Sequence, residues 1–163
     1  MVAMGGHGES TDFPMFTVFV ETLLQMTTLL RHEVLLAQGK LHEFQERMGR
    51  AMFVSHQWLS CQHPDPCGAQ LQVLQKALLN LMEAKSSVSL PPVVELYVGR
   101  VKCPEAKDFQ EPLYLWYDYF SCPQNEDQEA VTARKLAIKS IPCYVEQCFF
   151  FAASHDLLKT KTA

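Results

Sequence analysis

Three short apolar runs, separated by stretches of helical periodicity, constrain this chain more than any other feature. They are Ala51-Met52-Phe53-Val54, then Leu113 to Phe120, then Cys148 to Ala153. Short apolar runs bounded by polar or turn residues read as buried strands. Asp65-Pro66 lies between the first two and starts a helix: aspartate accepts from free amides and proline suits the first turn. Leu71, Leu74, Leu78 and Leu81 then form one stripe, with Val73 and Met82 beside it, and the helix should end near Lys85. Between the second and third runs, Glu126 to Ser140 reads as helix, with Val131, Leu136 and Ile138 among its apolar positions. Pro142 starts a further short turn through Gln147. Strand, helix, strand, helix, strand favours a parallel sheet with right-handed crossovers. The expected fold class is therefore α/β: an open parallel sheet with three recognisable strands and crossover helices.

The rest of the chain divides around that core. Residues 1–12 are small and polar and read as disordered. Residues 13–50 read as a helical arm, capped at Thr11-Asp12, with Pro14 in its first turn and one helix running to about Leu36. A weakening falls at Gly39, followed by an amphipathic stretch from Lys40 to Arg50 with Leu41, Phe44 and Met48 at helical spacing. This arm is expected to pack on the domain or to self-associate. Phe13 to Leu30 is apolar enough to be tested as a membrane span. Pro14, Glu21 and Gln25 interrupt it, and a mid-span carboxylate costs about 2–3 kcal/mol on insertion, so a packing helix is the better reading. The α/β domain is expected over 51–155 and a tail over 156–163. Within 90–112, Val93 to Val98 reads as an extra strand or short helix and Pro104 to Pro112 as a charged loop.

A length of 163 residues fits one domain with an added arm. The net charge of −4 and the lack of a Lys/Arg run exclude a nucleic-acid footprint and an anionic membrane surface. The first ten residues have neither a basic nor an apolar signal region, so the six cysteines are expected to be reduced thiols in a cytoplasmic protein. Cys143 and Cys148 read as core filler.

Ligands of open parallel sheets bind beyond the carboxyl ends of the strands. Those ends here carry Ser55-His56, Asp118 to Ser121, and Ser154-His155. Polar strand ends also arise simply where strands meet water. A hydrolytic triad of Ser121 or Cys122 with His56 and Asp118 is one alternative, without nucleophile-elbow spacing to support it. Zinc held by Cys61, His63 and Cys67 is another, without a paired Cys-x-x-Cys. No glycine-rich phosphate loop occurs, which leaves the helix start after Pro66 as the place for a phosphate. Trp116 reads as core, whereas Trp58 either stacks on a planar ligand or covers the sheet edge.

Three segments taken together carry a resemblance. They are Phe-Val-Ser-His-Gln-Trp-Leu with His-Pro-Asp-Pro-x-Gly-x-Gln, then Leu-Trp-Tyr-Asp-Tyr-Phe-Ser-Cys-Pro-Gln, then Ile-Lys-Ser-Ile-Pro-Cys-Tyr-Val-Glu-Gln-Cys-x-Phe-Phe. Over roughly 51–153 the chain resembles the Toll/interleukin-1 receptor-like (TIR-like) superfamily in a divergent protist and algal form. Fungal heterokaryon-incompatibility domains show a similar Trp-x-Asp-x-x-x-x-x-Gln strand. The resemblance implies a flavodoxin-like sheet and one of two activities: assembly with protein partners or other copies in signalling, or binding and cleavage of NAD at its nicotinamide–ribose bond. It places Ser55, His56 and Trp58 on the first strand and its loop, and Asp118, Ser121 and Gln124 on the second. With Asp65 and Gln70 of the intervening motif, these are the ligand-binding candidates. NAD-cleaving members carry their key glutamate on a helix after the third strand, within a Trp-Cys-Arg-x-Glu type segment. No such segment occurs here, and Glu126, Glu129 and Glu146 lie too early to replace it. The expectation is a C-terminally incomplete TIR-like interaction or nucleotide-binding module without full catalytic machinery. The alternatives are a fragment of an NAD-hydrolysing enzyme and an unrelated α/β metal-binding or hydrolytic protein.

Overall fold

A computed structural model describes residues 11–88, 103–110 and 112–153. The expectations for residues 1–10, Val93 to Val98, Ser154-His155 and 156–163 lie outside the described residues. In chain order the described elements are β1 (Phe16–Phe19), α1 (Val20–Leu24), α2 (His32–Ala37), β2 (Leu41–Glu43), β3 (Arg50–Ser55) and α3 (Ala69–Met82). After these come β4 (Leu113–Tyr117), α4 (Asp118–Ser121), α5 (Gln128–Lys139), α6 (Ile141–Gln147) and β5 (Phe150–Ala153). Single 3-10 turns at Glu46–Met48 and Ala106–Phe109 precede β3 and β4.

The strands form one five-stranded sheet in the order β2-β1-β4-β3-β5. The three apolar runs are its parallel part. Met52 sits opposite Leu115 and Val54 opposite Tyr117, while Val54 on the other side faces Ala152. The chain thus crosses from β3 to one side for β4 and to the other side for β5. The sheet as a whole is mixed, because β1 runs antiparallel to both β4 and β2.

The helical arm expected over 13–50 is corrected by the structure. Phe16-Thr17-Val18-Phe19 is strand, and its pairing of Val18 with Leu115 makes it a full member of the sheet. The residues favour this: Thr17 and Val18 are β-branched and both are fully buried, one toward each face. The expected single helix becomes α1 and α2, two short helices. α2 ends in a Schellman turn: Gly39 has φ +65°, Lys40 N–H donates to Leu35 O at 2.9 Å, and Gly39 N–H donates to Leu36 O at 3.0 Å. The amphipathic stretch from Lys40 becomes β2 and a 3-10 turn instead of a helix.

Side chains alternate across the sheet and divide the core in two. Met52, Val54, Leu113, Leu115 and Tyr117 face one layer, filled by Leu71, Leu74 and Leu78 of α3, Leu23 of α1, Leu35 of α2 and Phe120 of α4. Ala51, Phe53 and Trp116 face the other, filled by Ala137 of α5 and Tyr144 of α6. Helices on both faces explain why the parallel strands are apolar throughout rather than alternating. The Leu113 to Phe120 run is shorter as a strand than expected, since Asp118 turns the chain into α4. α5 starts at Asp127, whose side chain accepts from Ala130 N–H at 2.9 Å. Among the described residues no helix is long and apolar enough to cross a membrane.

Candidate functional site

Because β3 and β4 are parallel neighbours, their carboxyl ends leave the sheet side by side. His56 follows β3 and Asp118 follows β4, which brings His56 Nε2 to 3.3 Å from Asp118 Oδ1. The imidazole stacks on Tyr117, with ring centres 3.8 Å apart and planes at 16°. The approach lies within ion-pair reach but falls short of hydrogen-bond geometry, so both buried atoms stay without a hydrogen-bond partner. Burial lowers the His56 pKa, and the opposing pull of Asp118 and Asp65 does not offset it. His56 is therefore neutral at pH 7. The nearby carboxylate favours the tautomer with its proton on Nε2. Burial also raises the Tyr117 phenol far above its usual range, with the charges of Asp118 and Asp65 adding to the shift.

The other oxygen of Asp118 is satisfied. Trp58 Nε1–H donates to Asp118 Oδ2 at 2.9 Å. The indole meets Tyr119 edge-on, at 5.7 Å and 85°. Trp58 is 38% exposed and Trp116 only 2%, so Trp58 is the tryptophan able to touch a ligand. A cleft of about 550 Å³ opens here, lined among others by Arg31, Trp58, Asp118, Tyr119, Gln124 and Arg134. A second pocket of about 330 Å³ shares Asp118 and adds Ser55, His56 and apolar residues on the α6 side of the sheet.

The loop after β3 is held by its own polar residues. Asp65 is 1% exposed, and its Oδ2 accepts from Leu71 N–H at 2.8 Å in the first turn of α3. It caps the helix as expected, although Gly68 (φ +71°) sets the start three residues later. The capping carboxylate already fills the anion seat expected there for a phosphate, so Asp65 is not a phosphate-site residue. Gln70 Nε2–H donates to Gln57 O at 2.9 Å and bridges the loop to its helix. His63 Nδ1 accepts from Asp65 N–H at 3.0 Å, which leaves Nε2–H to donate to Leu29 O at 3.3 Å. Both ring nitrogens are thus committed to hydrogen bonds within the protein. Among the described residues no group of three His, Cys, Asp or Glu is arranged to hold a metal.

The segment after β4 is equally tied. Ser121 Oγ accepts from Tyr117 N–H at 3.1 Å and is 1% exposed, so it shapes the turn and faces no ligand. Burial, with Asp118 adding to it, pushes the Cys122 thiol up to about 12. The Ser121 hydroxyl is thus engaged and the Cys122 thiol is kept protonated, which argues against either as the nucleophile of a triad with His56 and Asp118. Gln124 Nε2–H donates to Cys122 O at 2.9 Å. Glu33 Oε1 accepts from Gln124 N–H at 2.6 Å and Asn125 N–H at 2.8 Å. Burial opposes ionisation of Glu33, yet these amides, its own amide and Arg31 together hold its pKa below the usual range. Arg134 donates to Pro123 O at 3.4 Å and Glu126 Oε1 at 3.4 Å.

Of the expected site residues, His56, Trp58 and Asp118 are brought into contact. Gln124 lines the same cleft, and Ser55 lines the smaller pocket. Asp65, Gln70 and Ser121 are supports. Arg31, Tyr119 and Arg134 were not among the candidates. Arg31-His32-Glu33 is a polar interruption in an otherwise apolar stretch, which is a usable signal; Arg134 on an ordinary amphipathic helix offers none. No family profile, curated protein or solved structure matches this chain.

Proposed function

We propose that the protein is a TIR-like signalling module that binds a nucleotide in the cleft between the loop after β3 and the segment after β4. The observation that carries this reading is the pairing of Trp58 with Asp118 in a cleft that also holds Arg31 and Arg134. An exposed indole offers a face for a base, and two guanidiniums suit phosphate oxygens. The parallel strands lie in the spatial order second, first, third, the order with which a flavodoxin-like sheet begins. Such sheets bind ligands beyond their carboxyl strand ends, and the cleft of this chain opens there. The proposed role is binding rather than bond cleavage. The Ser121 hydroxyl is taken up by the Tyr117 amide, and burial raises the Cys122 thiol to about 12.

Titration with NAD, ADP-ribose and ATP, followed by tryptophan emission and calorimetry, tests the reading. The expected result is saturable quenching of Trp58, weakened about tenfold or more in Arg134→Ala through loss of a charge-assisted contact. Absence of saturation by any of the three at millimolar concentration would overturn it. Release of nicotinamide from NAD would instead favour the hydrolase alternative.

A further inference from the structure

Arg31 directly precedes α2 and lines the larger cleft together with Trp58. A free arginine side chain samples many rotamers, and a ligand that orders it loses affinity to that entropy. Here the guanidinium is fixed beforehand. Its Nε lies 3.8 Å from Glu33 Oε2, and its Nη2–H donates to Asn125 Oδ1 at 3.2 Å. Asn125 is tied at its backbone as well. Its N–H donates to Glu33 Oε1 at 2.8 Å, and its carbonyl accepts from Arg134 Nη1–H at 3.5 Å. Arg31, Glu33 and Asn125 thus close a triangle of contacts between segments 94 residues apart in sequence. Among the described residues no acceptor engages Nη1 of Arg31, whose side chain is 45% exposed.

A guanidinium carries its donors in a rigid planar fork. Once Nε and Nη2 are tied, the direction of the remaining donors is set, and such a fork suits phosphate oxygens. The charges around the cleft make that direction decisive. Glu33 lies beside Arg31, Glu126 pairs with Arg134 at 3.4 Å, and Asp118 adds a third carboxylate. Two guanidiniums against three carboxylates give no net positive field to draw an anion in. Phosphate binding then depends on where the donors point. We propose that Asn125 is a positioning residue that holds the Arg31 fork so that the cleft reads phosphate groups on its ligand. The inference rests on the nucleotide reading and names the part of the ligand that Arg31 recognises. Asn125 acts through Arg31 and does not itself touch the ligand.

Calorimetric titration with adenosine and with ADP tests the proposal in four proteins: the unaltered chain, Asn125→Ala, Arg31→Ala and the double variant. The unaltered chain is expected to bind ADP about tenfold or more tightly than adenosine. Residue 125 is exposed and lies outside helix and strand, so Asn125→Ala should fold. It keeps the backbone contacts with Glu33 and Arg134 and removes only the side-chain acceptor of Arg31. It should lower the ADP-to-adenosine ratio about threefold or more and leave adenosine affinity unchanged. Arg31→Ala should lower the ratio at least as far, and adding Asn125→Ala to it should change nothing further. A mere loosening of the segment would weaken both ligands alike. Equal weakening of the two, a ratio near one in the unaltered chain, an unchanged ratio in Asn125→Ala, or additive effects of the two substitutions would each overturn the proposal while nucleotide binding stands. Saturation by neither ligand would overturn the nucleotide reading and this inference with it.

Discussion

Trp58 and Asp118, sixty residues apart in sequence, are joined by an indole-to-carboxylate hydrogen bond of 2.9 Å. It is a direct tie between the loop after β3 and the end of β4. Trp58→Phe keeps an aromatic body against Tyr119 but removes the donor. Because the Asp118 and Trp58 side chains are each more than a third exposed, the expected loss is only about 0.5–1 kcal/mol. Urea denaturation should show a lower midpoint with an unchanged slope. A loss of several kcal/mol would mean that the bond holds more than the loop.

The two buried histidines predict the acid limb of stability. Burial lowers the pKa of His56 against Asp118 and Asp65, and that of His32 against the Phe120 carbonyl and Glu33. In the unfolded chain both return to about 6.5. Below that value the unfolded state binds more protons, so stability rises with pH between the folded and unfolded pKa values. Stability is complete above about pH 6.5 and is lost as pH falls toward the folded values. Denaturation midpoints measured from pH 8 to pH 5 should decline in this direction, and His56→Phe should flatten part of the slope. A midpoint that rises on acidification would contradict the burial of both rings.

Glu33 predicts a second, more acidic step. Its Oε1 accepts from two consecutive amides, Gln124 N–H and Asn125 N–H, and fixes the segment that carries Gln124 into the cleft. Its folded pKa is lowered, so its contribution is present above about 4.3, the usual unfolded glutamate value. That contribution is lost as pH falls through the folded value. Glu33→Ala should cost about 1–2 kcal/mol by leaving both amides without this acceptor. It should also raise hydrogen exchange at Gln124 and Asn125 well before global unfolding. Unchanged exchange at those two amides would show that the segment is held by other contacts.

How much of this was legible follows from range. β3, β4 and β5 are apolar on both faces, so local composition alone marks them; α3 announces itself by period and by Asp65, and α5 by period. Asp118 and His56 meet because parallel strands end together, which the alternation of elements already implied. β1 was misread because Phe16 to Phe19 runs without a break into the apolar α1. Only its pairing with Leu115, about a hundred residues away, decides between strand and helix. Arg134 reaches the cleft through tertiary placement, for which a charged residue on an amphipathic helix carries no local mark, whereas Arg31 had one in the polar Arg31-His32-Glu33 interruption. Ser121 shows the reverse case: its position looked like chemistry, but its hydroxyl is taken up by the Tyr117 amide.

Gly49 links the stability of the sheet to the geometry of the site. Its φ of +140° lies where L side chains rarely go, and a Cβ there would overlap the Pro112 carbonyl oxygen. That same oxygen accepts from Arg50 N–H at 2.8 Å, at the point where β3 begins to pair with β4. Gly39 is the control: its φ is +65°, but the space around it is open. Gly39→Ala should cost about 1–2 kcal/mol, the strain of a left-handed residue alone. Gly49→Ala adds a backbone collision to strain of about 1–3 kcal/mol, so its cost should be clearly larger. The collision can be relieved only by moving Arg50 away from Pro112, which shifts the start of the β3–β4 ladder. Five pairs further on, that ladder sets where His56 and Asp118 leave the sheet. Folded Gly49→Ala protein should therefore show altered Trp58 emission and altered amide shifts at Asp118, while Gly39→Ala should show neither. Equal costs for the two variants, or an undisturbed Trp58 in Gly49→Ala, would sever the link between this turn and the site.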